Sequence, residues 1–145
     1  MNIKKATTDC ADWINEMIKR EFPYTAFTPK HIEERINDPK YLILIAKQAN
    51  ITTGFAELEL FLDKKEARLN AVFVEDSWRD QKIGTKLVEQ CINECKHKKI
   101  QRLFLLVKTE NVGAQHMYDE IGFRCIGMHD KIIDGSDVEV WDMKV

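Results

Sequence analysis

No window of this sequence approaches the ~20 consecutive apolar residues of a membrane-spanning helix, and the opening MNIKKATTDCADW lacks the apolar core of a signal peptide. Both absences point to the cytosol and away from any membrane partner. A basic excess is missing too. The chain carries 22 Lys+Arg against 24 Asp+Glu, a formal net charge of -2, whereas nucleic-acid binding usually rests on surplus positive charge. Cysteine is sparse, at positions 10, 91, 95 and 125. Cys91 and Cys95 fall on an apolar helical stripe, where cysteine behaves as a small hydrophobe, and only His97 lies near them in sequence, so no metal is expected. The pattern G-x-x-x-x-G-K-S/T is absent, which removes a P-loop nucleotide domain. Repeats, linkers and low-complexity segments are lacking as well.

What is present suffices for one domain. A chain of 145 residues, 44% of them hydrophobic, can fill one compact core and not two. Residues 1–5 read as a first strand. Residues 9–20 place Trp13, Ile14, Met17 and Ile18 behind a capping Thr8 or Asp9, which predicts an amphipathic helix. A second helix begins at Thr28-Pro29, a cap followed by proline at the first helical position, and ends at Asn37-Asp38-Pro39. The run YLILIA and the alternating GFAELELFL form a hairpin across a polar turn at 48–53, and RLNAVFV follows a charged turn at 62–67.

Farther on, Ile83, Leu87, Val88, Cys91, Ile92 and Cys95 keep one face of a long helix apolar, with its start near Gly84. The run LFLLV suits a fully buried strand. A short helix carrying Ala114, Met117, Tyr118 and Ile121 stops at Gly122. Two last strands, around 125–133 and 138–143, are joined by a turn at Asp134-Gly135. This order is mixed α/β: helical crossovers impose some parallel pairing, and the short turns impose antiparallel pairing.

The stretch DSWRDQKIGTKLVEQC sets an arginine and a lone glycine directly before the long helix. A helix start exposes unpaired backbone N–H groups and the positive end of the macrodipole, so a loop feeding into it can cradle an anion, most often a phosphate. An ordinary loop-to-helix junction accounts for these residues equally well when they are taken alone.

Two blocks in fixed order make the junction more specific. VEDSWRDQKIGTKLV and ENVGAQHMYDEIGF together resemble the GCN5-related N-acetyltransferases (GNAT family), whose acyl-CoA loop reads Q/R-x-x-G-x-G/A and whose later segment reads N-x-x-A-x-x-x-Y-x-x-x-G-F/Y. The second block matches at Asn111, Ala114, Tyr118, Gly122 and Phe123; the first matches at Arg79 and Gly84. Lys82 stands where the middle glycine is expected, and helical or bridge backbone angles there would seat a side chain without strain. The resemblance spans nearly the whole chain. It implies an α/β GNAT acyl-CoA N-acyltransferase fold, a mixed, mostly antiparallel sheet of about seven strands flanked by about four helices.

The resemblance also implies acetyl-CoA as co-substrate and a set of site residues. Backbone N–H groups of Asp80, Gln81, Lys82, Ile83, Gly84 and Thr85, after Arg79, would surround the pyrophosphate. Val72, Phe73 and Val74 would pair like a strand with the pantetheine arm, Asn111 would bind near its end, and Tyr118 would protonate the departing thiolate. The N–H of Val74 or a neighbour is the candidate oxyanion donor. The base is less defined. Asn70 or Arg68 occupies the place where many relatives carry a strand carboxylate, and Leu106 occupies the place of a glutamate used by ribosomal-alanine-type enzymes. Glu57 and Glu59, on one face of their strand, are the remaining candidates.

No cysteine has a histidine partner visible in sequence, so direct attack in a ternary complex is expected rather than a covalent enzyme intermediate. The acceptor would be a primary amine of a small molecule or a peptide. Aromatics Phe22, Tyr24 and Phe27 with acids Asp134, Asp137 and Glu139 suit a cationic amine and equally an ordinary surface. The last strand could pair across a homodimer. The competing expectation is a non-catalytic acyl-CoA-binding or regulatory domain on the same fold, motivated by Lys82 and the missing strand carboxylate.

Overall fold

A computed structural model describes residues 1–130 and 135–145. The elements in chain order are β1 (Asn2–Lys5), α1 (Ala11–Glu21), α2 (Pro29–Asn37), β2 (Tyr41–Gln48), β3 (Ile51–Phe61), β4 (Glu66–Val74), α3 (Ile83–His97), β5 (Arg102–Lys108), α4 (Val112–Ile121), β6 (Arg124–Met128) and β7 (Val138–Lys144). The seven strands form one sheet in the order β1-β2-β3-β4-β5-β7-β6. All neighbours run antiparallel except β4 and β5, which α3 joins as a crossover. Among the described residues no helix is long and apolar enough to cross a membrane.

The period-2 alternation of the strands divides two cores. Leu42, Leu44, Ala56, Leu58, Leu69, Leu103 and Leu105 meet the α3 stripe on one face. Ile43, Ile45, Phe55 and Phe73 meet Ile14, Met17 and Ile32 of α1 and α2 on the other. Burial of these side chains from both faces of β2 and β3 is the main favourable term holding the layers together. Trp13 packs edge-on against Phe55 and Phe73, with ring centroids 6.1 and 6.3 Å apart.

Several local expectations change. The first helix starts at Ala11 behind a 3-10 turn at Thr8–Cys10, without a side-chain cap, because Asp9 is engaged by the hydroxyl of Thr7 instead. The second helix does begin at the Thr28 cap, and the His31 side chain completes the capping box. The first hairpin turn is tighter than 48–53: Ala49 takes φ 53°, so Thr52 and Thr53 extend β3. β5 is not buried on both faces. Leu103, Leu105 and Val107 are buried while Phe104 and Leu106 are only half-buried, since α1 and α2 do not reach that far across the sheet. The last strand is an interior one, paired to β5 and β6, so among the described residues the sheet edges are β1 and β6 and pairing of β7 across a dimer has no free edge to use. The expected strand residues 131–133 and the Asp134 half of the final turn lie outside the described residues.

Candidate active site

The site begins where β4 and β5 part. Their parallel pairing runs only from Glu66↔Arg102 to Leu69↔Leu105, although β4 continues to Val74 and β5 to Lys108. A bulge between Glu57 and Leu58 of β3 leaves Asn70 of β4 without a register partner, and such an extra residue bends its strand away from the neighbouring one. Beyond the bulge the β5-facing edge of β4 is free of strand pairing. Glu75 N–H donates to the Thr53 carbonyl at 2.8 Å. By strand alternation Phe73 and Ala71 therefore turn their peptide groups to β3, and Val72 and Val74 turn theirs to the opening. Phe73, grouped with the pantetheine-pairing residues from sequence, instead contributes a buried ring stacked on Phe55, 6.0 Å between centroids.

The opening leads to the start of α3. Arg79 folds back, its Nε donating to the Val74 carbonyl at 3.2 Å and its Nη2 lying 3.1 Å from Asp76. Asp80 and Lys82 both have left-handed backbone angles, φ 65° and 62°. Lys82 is thus neither helical nor in the bridge region, and the sequence expectation for it is corrected: this is the conformation that favours the glycine of the family pattern. Two such residues flank Gln81 directly before the helix start; left-handed residues alternating in a turn aim successive N–H groups to one side, a geometry that receives anions. Helix α3 has no side-chain N-cap. Its first backbone bond runs from Lys86 N–H to the Lys82 carbonyl at 3.1 Å, so the N–H groups of Ile83, Gly84 and Thr85 precede the intrahelical ladder. A Cβ at Gly84 would lie 3.3 Å from Met117 Sδ, 3.7 Å from Val74 and 3.8 Å from Val72. The glycine lets the helix start, β4 and α4 converge.

Helix α4 supplies two more expected residues. Asn111 is its N-cap, with Oδ1 accepting from Ala114 N–H at 3.2 Å; this capping role was not read from the sequence, although an Asn directly before the apolar stripe signals it. Tyr118 is buried with its ring edge-on to Phe123, 5.6 Å between centroids. Its hydroxyl makes no hydrogen bond to any described residue. Burial, and then the neighbouring Cys91, push the phenol above its ordinary range, so it is fully protonated at neutral pH.

The two carboxylates sit on the other sheet face and are engaged. Glu57 is 4% exposed, and its Oε2 accepts from Arg35 at 2.7 Å and Asn70 at 2.8 Å. Glu59 accepts from Asn70 at 3.2 Å and pairs with Lys40 at 3.2 Å. Arg35 itself lies between the Phe27 and Tyr41 rings, 4.4 and 4.7 Å from their centroids. Together with Thr25, His31 and Asp38 these side chains line a groove of about 570 Å³. Of the aromatics expected on the acceptor side, Phe27 lines this groove, while Phe22 and Tyr24 pack edge-on to each other at 6.0 Å. Glu139 accepts from the Trp141 indole at 3.1 Å, and Asp134 lies outside the described residues. No cluster of metal-ligating side chains forms among the described residues.

The sequence model of the acetyltransferase (GNAT) domain matches residues 6–144. The chain belongs to this family. Among curated relatives, the [ribosomal protein bS18]-alanine N-acetyltransferase of Haemophilus ducreyi is 33% identical over 87 residues, covering 60% of this chain and 59% of the relative. The match therefore spans less than two thirds of that relative. Among solved structures, the ribosomal-protein-alanine N-acetyltransferase of Brucella melitensis superposes with a TM-score of 0.85 at 17% identity, covering 100% of both chains. The structure of yncA from Salmonella typhimurium with its cofactor acetyl-CoA gives 0.86 at 15% identity, covering 99% of this chain and 93% of that one. At these identities the two structures establish the GNAT fold, including the seven-stranded open sheet and four helices.

Proposed function

We propose that this chain transfers the acetyl group of acetyl-CoA to a primary amine of a small molecule or peptide by direct attack in a ternary complex. One observation carries the reading: the parting of β4 from β5 runs directly into the uncapped start of α3. The Val72 and Val74 peptide groups suit an extended, amide-bearing arm, and the curled loop with the free N–H groups of residues 83–85 suits its diphosphate. Membership of the family and the activity named for the Haemophilus ducreyi relative support the same assignment. Bound there, acetyl-CoA supplies a thioester carbonyl open to nucleophilic attack.

The chain's own residues then have distinct tasks. An N–H of the free β4 edge, Val74 being the candidate, donates to the developing oxyanion. As the N–C bond forms and the C–S bond breaks, the Tyr118 hydroxyl, which has no hydrogen-bond partner among the described residues, hands its proton to the leaving thiolate and regains one from the proton that the acylated nitrogen sheds, so the buried phenol ends the step neutral. Glu57 and Glu59 attract the incoming ammonium, whose proton leaves to water. Their existing bonds to Arg35, Lys40 and Asn70 make them electrostatic aids rather than free bases.

Thiol release from acetyl-CoA across an amine panel tests the reading, with amine-dependent release expected. The competing reading, a non-catalytic acyl-CoA-binding domain, draws on the left-handed Lys82 and on Asn70 and Leu106 at positions where relatives place an acid. Firm binding of acetyl-CoA with no amine-dependent thiol release would establish it instead.

A further inference from the structure

On the sheet face that α1 and α2 leave open, Arg68 has no ionic partner among the described residues. Its register places it beside Glu59 on β3 and Phe104 on β5, while Ala67 and Leu69 on either side point into the α3 core. The carboxylates nearby are committed elsewhere. Glu57 is held by Arg35 at 2.7 Å, Glu59 by Lys40 at 3.2 Å, and Glu66 and Asp142 by Arg102 at 3.3 and 2.7 Å. Arg68 Nε is nevertheless buried without a hydrogen-bond partner, and so is Oδ1 of Asn70, two residues along the same strand. Buried polar atoms in native structures are almost always satisfied. Asn15 Oδ1 and Gln48 Oε1 are the other two such atoms among the described residues, but only Arg68 and Asn70 pair a donor with an acceptor on one strand face, so that one ligand would satisfy both.

Their placement says which ligand. Leu69↔Leu105 is the last pair before the strands part, so Asn70 stands at the mouth of the opening, next to where the acyl group would be presented. Residues two apart on a strand face are ~6.6 Å from each other, a distance that one small molecule bridges with the help of arginine's long side chain. A guanidinium takes a carboxylate in bidentate fashion; an amide oxygen accepts from an amine. A polyamine would bring a second ammonium against Arg68, and a peptide N-terminus offers only a neutral carbonyl there. Resting on the transferase reading and deepening it, we infer that the acceptor is a free α-amino acid, its carboxylate on Arg68 and its amine at Asn70 Oδ1. The reaction remains acetyl transfer: the amine nitrogen gains the acetyl carbon and loses a proton, and the sulfur loses that carbon and gains one.

The experiment compares thiol release with the twenty protein amino acids, with their primary amides, and with a short peptide beginning in alanine. At least one free amino acid should exceed its amide by roughly 10- to 100-fold in kcat/KM, the range of a hydrogen bond to a charged group. Arg68→Gln should raise KM for that amino acid by a similar factor while leaving its kcat and the amide's kcat/KM nearly unchanged; Arg68→Lys should retain part of the preference. Equal or better use of the amides or the peptide overturns the inference and leaves the transferase reading standing, as does a preference untouched by Arg68→Gln. If that variant does not fold, the acid-to-amide ratio of the unaltered protein decides alone. Absence of thiol release with every amine, while acetyl-CoA binds, defeats the transferase reading and this inference with it.

Discussion

Lys82 and Tyr118 show how much one residue changes at this site. A non-glycine residue in the left-handed region costs about 1–2 kcal/mol, and glycine returns part of that gain by loosening the unfolded chain. Lys82→Gly should therefore raise the unfolding free energy by about 1 kcal/mol in urea titrations and keep acetyl-CoA affinity within about tenfold. A larger loss of affinity would make the ammonium a principal phosphate contact. Tyr118→Phe deletes only a hydroxyl that no described residue uses. Packing against Phe123 should survive, the urea midpoint should hardly move, and kcat should fall about 100-fold, as for loss of a positioned proton donor. Unchanged turnover would return Tyr118 to a purely structural role. Motif spacing made both positions legible in the sequence, but the sign of φ at Lys82 was not, because it depends on how the loop must turn between Arg79 and the converging α3, β4 and α4.

Among the elements, α3 and β4 form the critical pair. Gly84→Pro removes one of the three N–H groups ahead of the α3 ladder and crowds the residue before it. Acetyl-CoA binding measured by calorimetry should weaken by tenfold or more while the far-ultraviolet dichroism of the fold persists; unchanged affinity in the folded variant would remove this loop from the site. Helix and strand periods revealed α2, α3, α4 and the β2–β4 group, since each buries a face against a core that dictates its pattern. Element ends were harder to place. Thr7 took Asp9 away from helix capping, and a two-residue turn at Ala49 lengthened the hairpin, both local hydrogen-bond choices invisible to hydrophobic periodicity. The half-open state of β5 was hidden for a different reason: Phe104 and Leu106 are apolar whether or not a helix covers them. The Glu57–Asn70–Glu59 bridge escaped notice because it depends on the β-bulge.

At the scale of the whole molecule, burial of titratable groups in the α3 core sets an alkaline limit. Burial pushes the Cys95 thiol up to about 11 and raises Cys91 and Tyr118 further, with Glu94 and the two thiols adding to the effect. All three fold in the neutral form. Their contribution is complete below the unfolded values, roughly 8.5 for cysteine and 10 for tyrosine, and is lost as pH rises toward the folded ones. The urea midpoint should hold steady to about pH 8.5 and decline by pH 11, and Cys95→Ala should flatten the first part of that decline. A midpoint independent of pH across this interval would contradict the burial of these groups.

The short contact between β4 and β5 also has a mechanical meaning. Four register pairs, Glu66↔Arg102 to Leu69↔Leu105, are all that joins strands β1–β4 to strands β5–β7–β6 within the sheet, so the two halves meet at a hinge. A ligand threaded along Val72 and Val74 and reaching α4 would span that hinge and act as a strut. At a ligand concentration about 100 times Kd, linkage adds about 2.7 kcal/mol to global stability. A strut does more than that uniform increment: it slows amide hydrogen exchange most where β4 and β5 have parted, at Val72, Val74 and the end of β5, and least in the middle of β2 and β3, which are already locked between two cores.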